Sequence, residues 1–140
     1  MRIVLDASSA VSWLFRDERT PLSIAALHSV REHGALVPPL WCTEIVQALL
    51  KSERRGRIDY AQSQHALELL RALPIVVQTS PEIPTFSEVA LARKFALSAY
   101  DACYLDLSLR YGLPLVTLDK KLASAADAVG LRWKPEKRKS

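Results

Sequence analysis

The feature that most constrains the fold of this 140-residue chain is an alternation: short β-type apolar runs take turns with longer stretches of helical period. Strand-like runs fall at Ile3 to Leu5, Ala35 to Val37, Ile75 to Gln78, Leu115 to Leu118 and, more weakly, Leu131 to Trp133. Helical patterns fill the intervals. This is the sequence form of an α/β domain with a mainly parallel sheet. A chain of this length buries roughly 70% of its unfolded surface and needs no staples. One domain over residues 1–133 is expected, followed by a basic tail, 134–140.

Helix starts are signalled by Ser8 or Ser9, by Thr20-Pro21, and by the pairs Asp59 with Gln62, Thr85 with Glu88 and Ser98 with Asp101, which have capping-box spacing. Stops are signalled by Gly34, Gly56, Gly112 and Gly130, the whole glycine complement of the chain. Phosphate-cradling loops need clustered glycines at a strand-to-helix turn, so P-loop and dinucleotide-binding readings are excluded. No G-x-S-x-G elbow occurs, and His28, His33 and His65 lack the i,i+4 spacing of a helical zinc pair. Cys42 and Cys103 form no C-x-x-C pair and read as packed thiols. No run approaches the roughly 18 apolar residues of a membrane span, and Arg2 and Asp6 interrupt any leader-like start. A cytoplasmic protein with no membrane partner is expected.

The segment "SAYDACYLDLS" (residues 98–108) poses the sharpest chemical problem. On a helical wheel Asp101 lies in an apolar arc, flanked by Ala102, Leu105 and Leu109 on one side and Tyr100, Tyr104, Leu107 and Tyr111 on the other. Asp106 falls opposite, beside Arg110, as an i,i+4 pair on the solvated face. A lone buried carboxylate costs several kcal/mol unless paired, hydrogen-bonded or bound to metal. Asp101 therefore needs a partner from elsewhere, or is the third residue of a capping box begun by Ser98.

Two further acids share a topological position. Asp6 ends the run "RIVLD" and Asp119 ends "PLVTLD", and ligands of open parallel sheets bind outside the carboxyl ends of the strands. Each also reads as an ordinary turn or N-cap acid. Glu44 lies on a helix whose apolar arc is Cys42, Ile45, Val46, Leu49 and Leu50, and taken alone it is an exposed first-turn acid.

Together, Asp6 in "VLDASSAVSWL", Glu44 in "VPPLWCTEIVQAL", Asp101 in "SAYDACYLDLS" and Asp119 in "GLPLVTLDKKL" resemble PIN-domain ribonucleases, specifically the VapC toxins of prokaryotic toxin–antitoxin systems. The likeness runs over about residues 2–131. It implies a three-layer α/β/α domain that hydrolyses RNA internally, with these four acids as a catalytic, metal-binding quartet for Mg²⁺ or Mn²⁺. An all-oxygen donor set suits those ions. The resemblance makes Ser8 and Thr117 supporting hydroxyls, and implies a homodimer and a cognate antitoxin. Gln47 stands where the family often has asparagine, and Asp106 where it often has a small residue. With a net charge of +4, the basic cluster Lys51, Arg54, Arg55 and Arg57 is a candidate RNA-backbone contact or a solvated helix end, and the cluster Lys134, Lys137, Arg138 and Lys139 is a phosphate contact or a disordered tail. A haloacid-dehalogenase-like phosphatase is an alternative, but it expects an aspartate at position 8, where Ser8 stands. A PIN-like scaffold that binds without cleaving is another, and a receiver domain is disfavoured because "PIVVQTS" carries no aspartate.

Overall fold

The structure, a computed structural model, describes residues 1–79 and 84–136. In chain order it runs β1 (Ile3–Leu5), α1 (Ala7–Leu14), a 3-10 turn (Arg16–Glu18), α2 (Pro21–His33), β2 (Ala35–Val37), α3 (Leu40–Arg54), α4 (Tyr60–Arg71), β3 (Ile75–Val77), α5 (Val89–Phe95), α6 (Ala99–Tyr111), β4 (Leu115–Val116) and α7 (Lys120–Ala128). The four strands form one parallel sheet in the order β3-β2-β1-β4. Val4 stands opposite Leu36 on one side and Leu115 on the other. Helix α1 packs on α2 and α3, whereas α6 packs on α5, α7 and β1. Right-handed crossovers put the first group and the second on opposite faces of the sheet. The result is the expected three-layer α/β/α arrangement.

Strand β1 is fully buried, and so is β2. From β1 the chain steps outward to β2 and β3, then returns past β1 to lay down β4. The strand order therefore reverses between β1 and β4, and the crevice beyond their carboxyl ends is the natural ligand position in such sheets. Gly34 makes the tight exit from α2 into β2. Its φ is +85°, and a Cβ there would stand 2.9 Å from the Pro74 carbonyl oxygen, so no other residue fits without strain.

Several local expectations are corrected. The first helix is capped by Asp6, whose side chain accepts from the Ser9 amide, rather than by Ser8 or Ser9. No Thr85–Glu88 box forms: α5 starts after Glu88 without a side-chain cap. Strand β3 stops before Gln78 and β4 before Thr117, and the Leu131 to Trp133 run contributes a single bridge, Leu115 to Arg132. The buried stripe of α3 is Trp41, Ile45 and Leu49, while Cys42, Val46 and Leu50 are exposed. On α6, Tyr100, Leu109 and Tyr111 are exposed rather than part of the buried arc. Asp106 does pair with Arg110, at 3.2 Å, but its side chain is only 14% exposed because the Ser87 hydroxyl covers it at 2.6 Å. Cap pairs Thr20–Ser23 and Asp59–Gln62 close reciprocally as boxes. Of the tail, Lys134 is exposed, and Lys137, Arg138 and Lys139 lie outside the described residues.

Candidate active site

Asp6 leaves β1 and enters α1 in one residue, so its carboxylate stands at the crevice between β1 and β4 with the first-turn donors of α1 around it. It is 4% exposed. One oxygen accepts from the Ser9 amide at 3.0 Å and the Ser9 hydroxyl at 2.7 Å; the other accepts from Ser8 Oγ at 2.9 Å and from the Thr117 hydroxyl. Burial pushes its carboxyl above the ordinary range, and these hydrogen bonds oppose that rise. Thr117 sits just past β4, and its hydroxyl oxygen also accepts from the Asp119 amide at 3.0 Å. One threonine thus ties the two strand-end acids together. Asp119 caps α7 through the Leu122 amide at 2.8 Å and is otherwise exposed. The N-cap reading of Asp119 and its place beside Asp6 hold at once.

Asp101 lies in the first turn of α6, one turn before the buried Tyr104 and Leu105. It is half-buried, on the core-facing stripe but at its open end. Ser98 caps the helix by accepting from the Asp101 amide at 3.1 Å. Burial and then the negative charges of Asp119, Asp6 and Glu44 raise the Asp101 carboxyl above its usual range. Asp101 thus feels three carboxylates that stand far from it in the sequence.

Glu44 reaches this place from α3, half-buried rather than exposed. Its Oε1 accepts a 2.5 Å hydrogen bond from the hydroxyl of Tyr104, whose ring is buried in the core. Burial and the Glu44 carboxylate push the Tyr104 phenol far above the ordinary tyrosine range, so it stands there as a donor. Tyr104 and Ser9 are site residues that sequence reasoning passes over. For the tyrosine a signal exists: a Tyr on a buried stripe needs a partner for its hydroxyl. Gln47, by contrast, is exposed and makes no side-chain hydrogen bond among the described residues.

Beside the acids runs a groove of about 540 Å³ lined by Ser8, Val11, Glu18, Glu44, Ala48 and Leu118. Lys51, Arg54 and Arg55 are exposed toward the far end of α3, up to roughly 16 Å from Glu44 at 1.5 Å per residue. Arg57 is not available in the same way. It pairs with Asp17 at 2.5 Å and Glu18 at 3.3 Å and lies over the Phe15 ring at 4.0 Å.

Among the described residues no ion pair involves Asp6, Glu44, Asp101 or Asp119. Nor do any three His, Cys, Asp or Glu side chains among the described residues stand close enough together, as placed, to hold a metal ion. In donor type and in excess charge, the residues present fit a hard divalent cation such as Mg²⁺ or Mn²⁺.

Comparison with known proteins agrees with this fold. The chain is 32% identical to Ribonuclease VapC3 of Mycobacterium tuberculosis over 133 residues, 92% of this chain and 93% of that protein. It is 35% identical to Ribonuclease VapC9 of the same organism over 126 residues, covering 90% and 92%. Its identity to Ribonuclease VapC3 of Pyrobaculum aerophilum is 30% over 138 residues, covering 92% and 98%. In shape it is similar to the crystal structure of PAE2754 from Pyrobaculum aerophilum, with a TM-score of 0.68 at 26% identity over 89% of this chain and 84% of that one. The pattern of the PIN domain matches residues 3–128. With its parallel sheet, its strand-end acids and relatives above 30% identity along most of its length, the chain belongs to the PIN-domain family.

Proposed function

We propose that this protein is a VapC-type endoribonuclease, the toxin of a toxin–antitoxin pair, and that Asp6, Glu44, Asp101 and Asp119 form its active site. The observation that carries this reading is the gathering of acids beyond the carboxyl edge of the sheet, where the Thr117 hydroxyl joins Asp6 to the Asp119 turn and Tyr104 holds Glu44, in a chain whose PIN-domain match spans residues 3–128. Asp6 and Asp101 are the direct holders of Mg²⁺ or Mn²⁺, Glu44 holds the ion or orients the attacking water, and Asp119 is an outer ligand. Ser8 and Thr117 fix the Asp6 carboxylate through the hydrogen bonds they donate. When bound, the cation supplies positive charge for a phosphodiester oxygen and acidifies the attacking water. The chain's own part is to aim carboxylate oxygens at one point, to keep a basic side chain out of that point, and to lead the RNA strand there along the groove. No covalent nucleophile is needed. Purified protein should cleave RNA with Mg²⁺ or Mn²⁺ and lose that cleavage in excess EDTA. Turnover of a small phosphomonoester with RNA left intact favours the phosphatase alternative, and RNA binding without cleavage favours the scaffold.

Lys51, Arg54 and Arg55 are the backbone contacts in this reading. Arg57, engaged with Asp17 and Glu18, instead braces the turn that lines the groove. Replacing Arg54 and Arg55 by glutamine should weaken RNA binding and lower its salt slope by about one for each phosphate no longer neutralised, because fewer counterions are released. Titration at several salt concentrations measures both.

The domain ends near Trp133 and the protein works in the cytoplasm; no described helix is long and apolar enough to cross a membrane. The partners are RNA and a cognate antitoxin protein. A second copy of the chain is the third partner: exposed Val46 and Leu50 on α3 adjoin a groove lined by Leu67, Leu73, Ile75 and Val77, an apolar face suited to a homodimer. Light scattering at micromolar concentration should give twice the chain mass.

A further inference from the structure

One hydrogen bond ties Glu44 to the core. Asp6 is held by Ser8 and Ser9 of its own turn and by Thr117 from the far end of the chain, and Asp119 by Thr117 and the Leu122 amide of its own turn. Glu44 projects from the interior of α3, where no cap or turn can hold it. Its fixed partner is Tyr104, the largest of the fully buried side chains, at 1% exposure. The two belong to helices on opposite faces of the sheet, and their side chains meet beyond its carboxyl edge.

We propose that Tyr104 is the positioning residue of the candidate active site: its buried hydroxyl holds Glu44 Oε1 so that the second oxygen of that carboxylate faces the cation site. The inference rests on the reading of the four acids as a cation site. A glutamate on a half-exposed helix face turns about three side-chain bonds and, when free, spends most of its time elsewhere. A tyrosine packed in the core turns about two, both blocked by its neighbours, and presents its oxygen at one place. The bond leaves one Glu44 oxygen occupied and the other without a partner among the described residues, and it transmits the placement of α6, which carries Asp101, to α3, which carries Glu44. Groups that orient metal ligands in this way typically change affinity or activity by about 10–100-fold when removed.

The test compares wild type, Tyr104→Phe, Glu44→Gln and the double variant by calorimetric Mn²⁺ titration and by RNA cleavage, with melting in EDTA as the check on folding. Tyr104→Phe keeps the ring and its packing. It should weaken Mn²⁺ binding by about 10–100-fold and lower kcat while KM for RNA stays at the wild-type value. Adding it to Glu44→Gln should cost little more than Glu44→Gln alone, because the group it positions has already been changed. Wild-type Mn²⁺ affinity and kcat in Tyr104→Phe overturn the proposal and leave Tyr104 as packing. Effects of the two substitutions that multiply in full also overturn it, since Tyr104 then acts elsewhere than through Glu44. Wild-type protein that binds no Mn²⁺ overturns the cation-site reading itself, a result distinct from either.

Discussion

In EDTA, Asp101→Asn should melt no earlier than wild type, while its cleavage of RNA falls to background. Asparagine keeps the shape and the backbone amide that Ser98 accepts from, and removes the one charge that burial and the carboxylates of Asp119, Asp6 and Glu44 all oppose. Were Asp101 only a helix-start acid, its loss would forfeit about 0.3–1 kcal/mol of first-turn electrostatics with or without metal. The two readings differ in sign. Wild type should gain about 2.7 kcal/mol when free Mn²⁺ reaches 100 times its dissociation constant, and the variant much less. Melting curves across a Mn²⁺ titration measure this, and a variant that is destabilised in EDTA yet still responds fully to Mn²⁺ would sink the assignment. The same curves carry a pH signature. Asp6 and Asp101 both have folded-state values above the ordinary 3.8. Their contribution to stability is thus complete below that value and is lost as pH rises through the raised folded values. Metal-free wild type should therefore lose stability over that interval, Asp101→Asn should lose less, and saturating Mn²⁺ should oppose the trend.

Asp6 should behave in the opposite way toward the fold. Asp6→Ala strips the partner from the Ser9 amide and from the Ser8, Ser9 and Thr117 hydroxyls. Each group left buried and unpaired costs about 1–3 kcal/mol, so the variant should unfold at clearly lower urea and cleave nothing. Asp6→Asn retains an acceptor for Ser9 and should recover much of the stability but none of the activity. If Asp6→Asn cleaves RNA at the wild-type rate, Asp6 is a structural cap alone.

The strands β1 and β2 are legible to the residue, because Ile3 to Leu5 and Ala35 to Val37 are short apolar blocks buried on both faces. The outer strands are less so. An edge strand such as β3, with Val76 half in solvent, ends where pairing ends, and pairing is a property of the neighbour. Helix α3 shows a second limit. It carries two apolar stripes, Trp41–Ile45–Leu49 and Cys42–Val46–Leu50, and the 3.6-residue period cannot say which of them meets the core. Asp106 meets the same ambiguity: its pair with Arg110 is local and readable, but the Ser87 cover arrives from a distant turn.

At the site, each acid taken singly has an ordinary explanation, and for Asp6 and Asp119 that explanation is also true, since both do cap helices. What no single segment contains is their convergence. Glu44 reads as an exposed first-turn acid because its partner, Tyr104, lies sixty positions away on another layer. The quartet is visible in the sequence only as a joint pattern shared with a family.

The bond between Thr117 and Asp6 spans nearly the whole chain, and β1 meets β4 only once that last strand has formed. As the protein emerges from the ribosome, its first acid is made more than a hundred residues before its last. Until β4 docks, one edge of the central strand is bare, and Asp119 has no place beside Asp6. A chain with this strand order therefore assembles its four acids only when synthesis of the sheet is complete, and until then the candidate site lacks its last member.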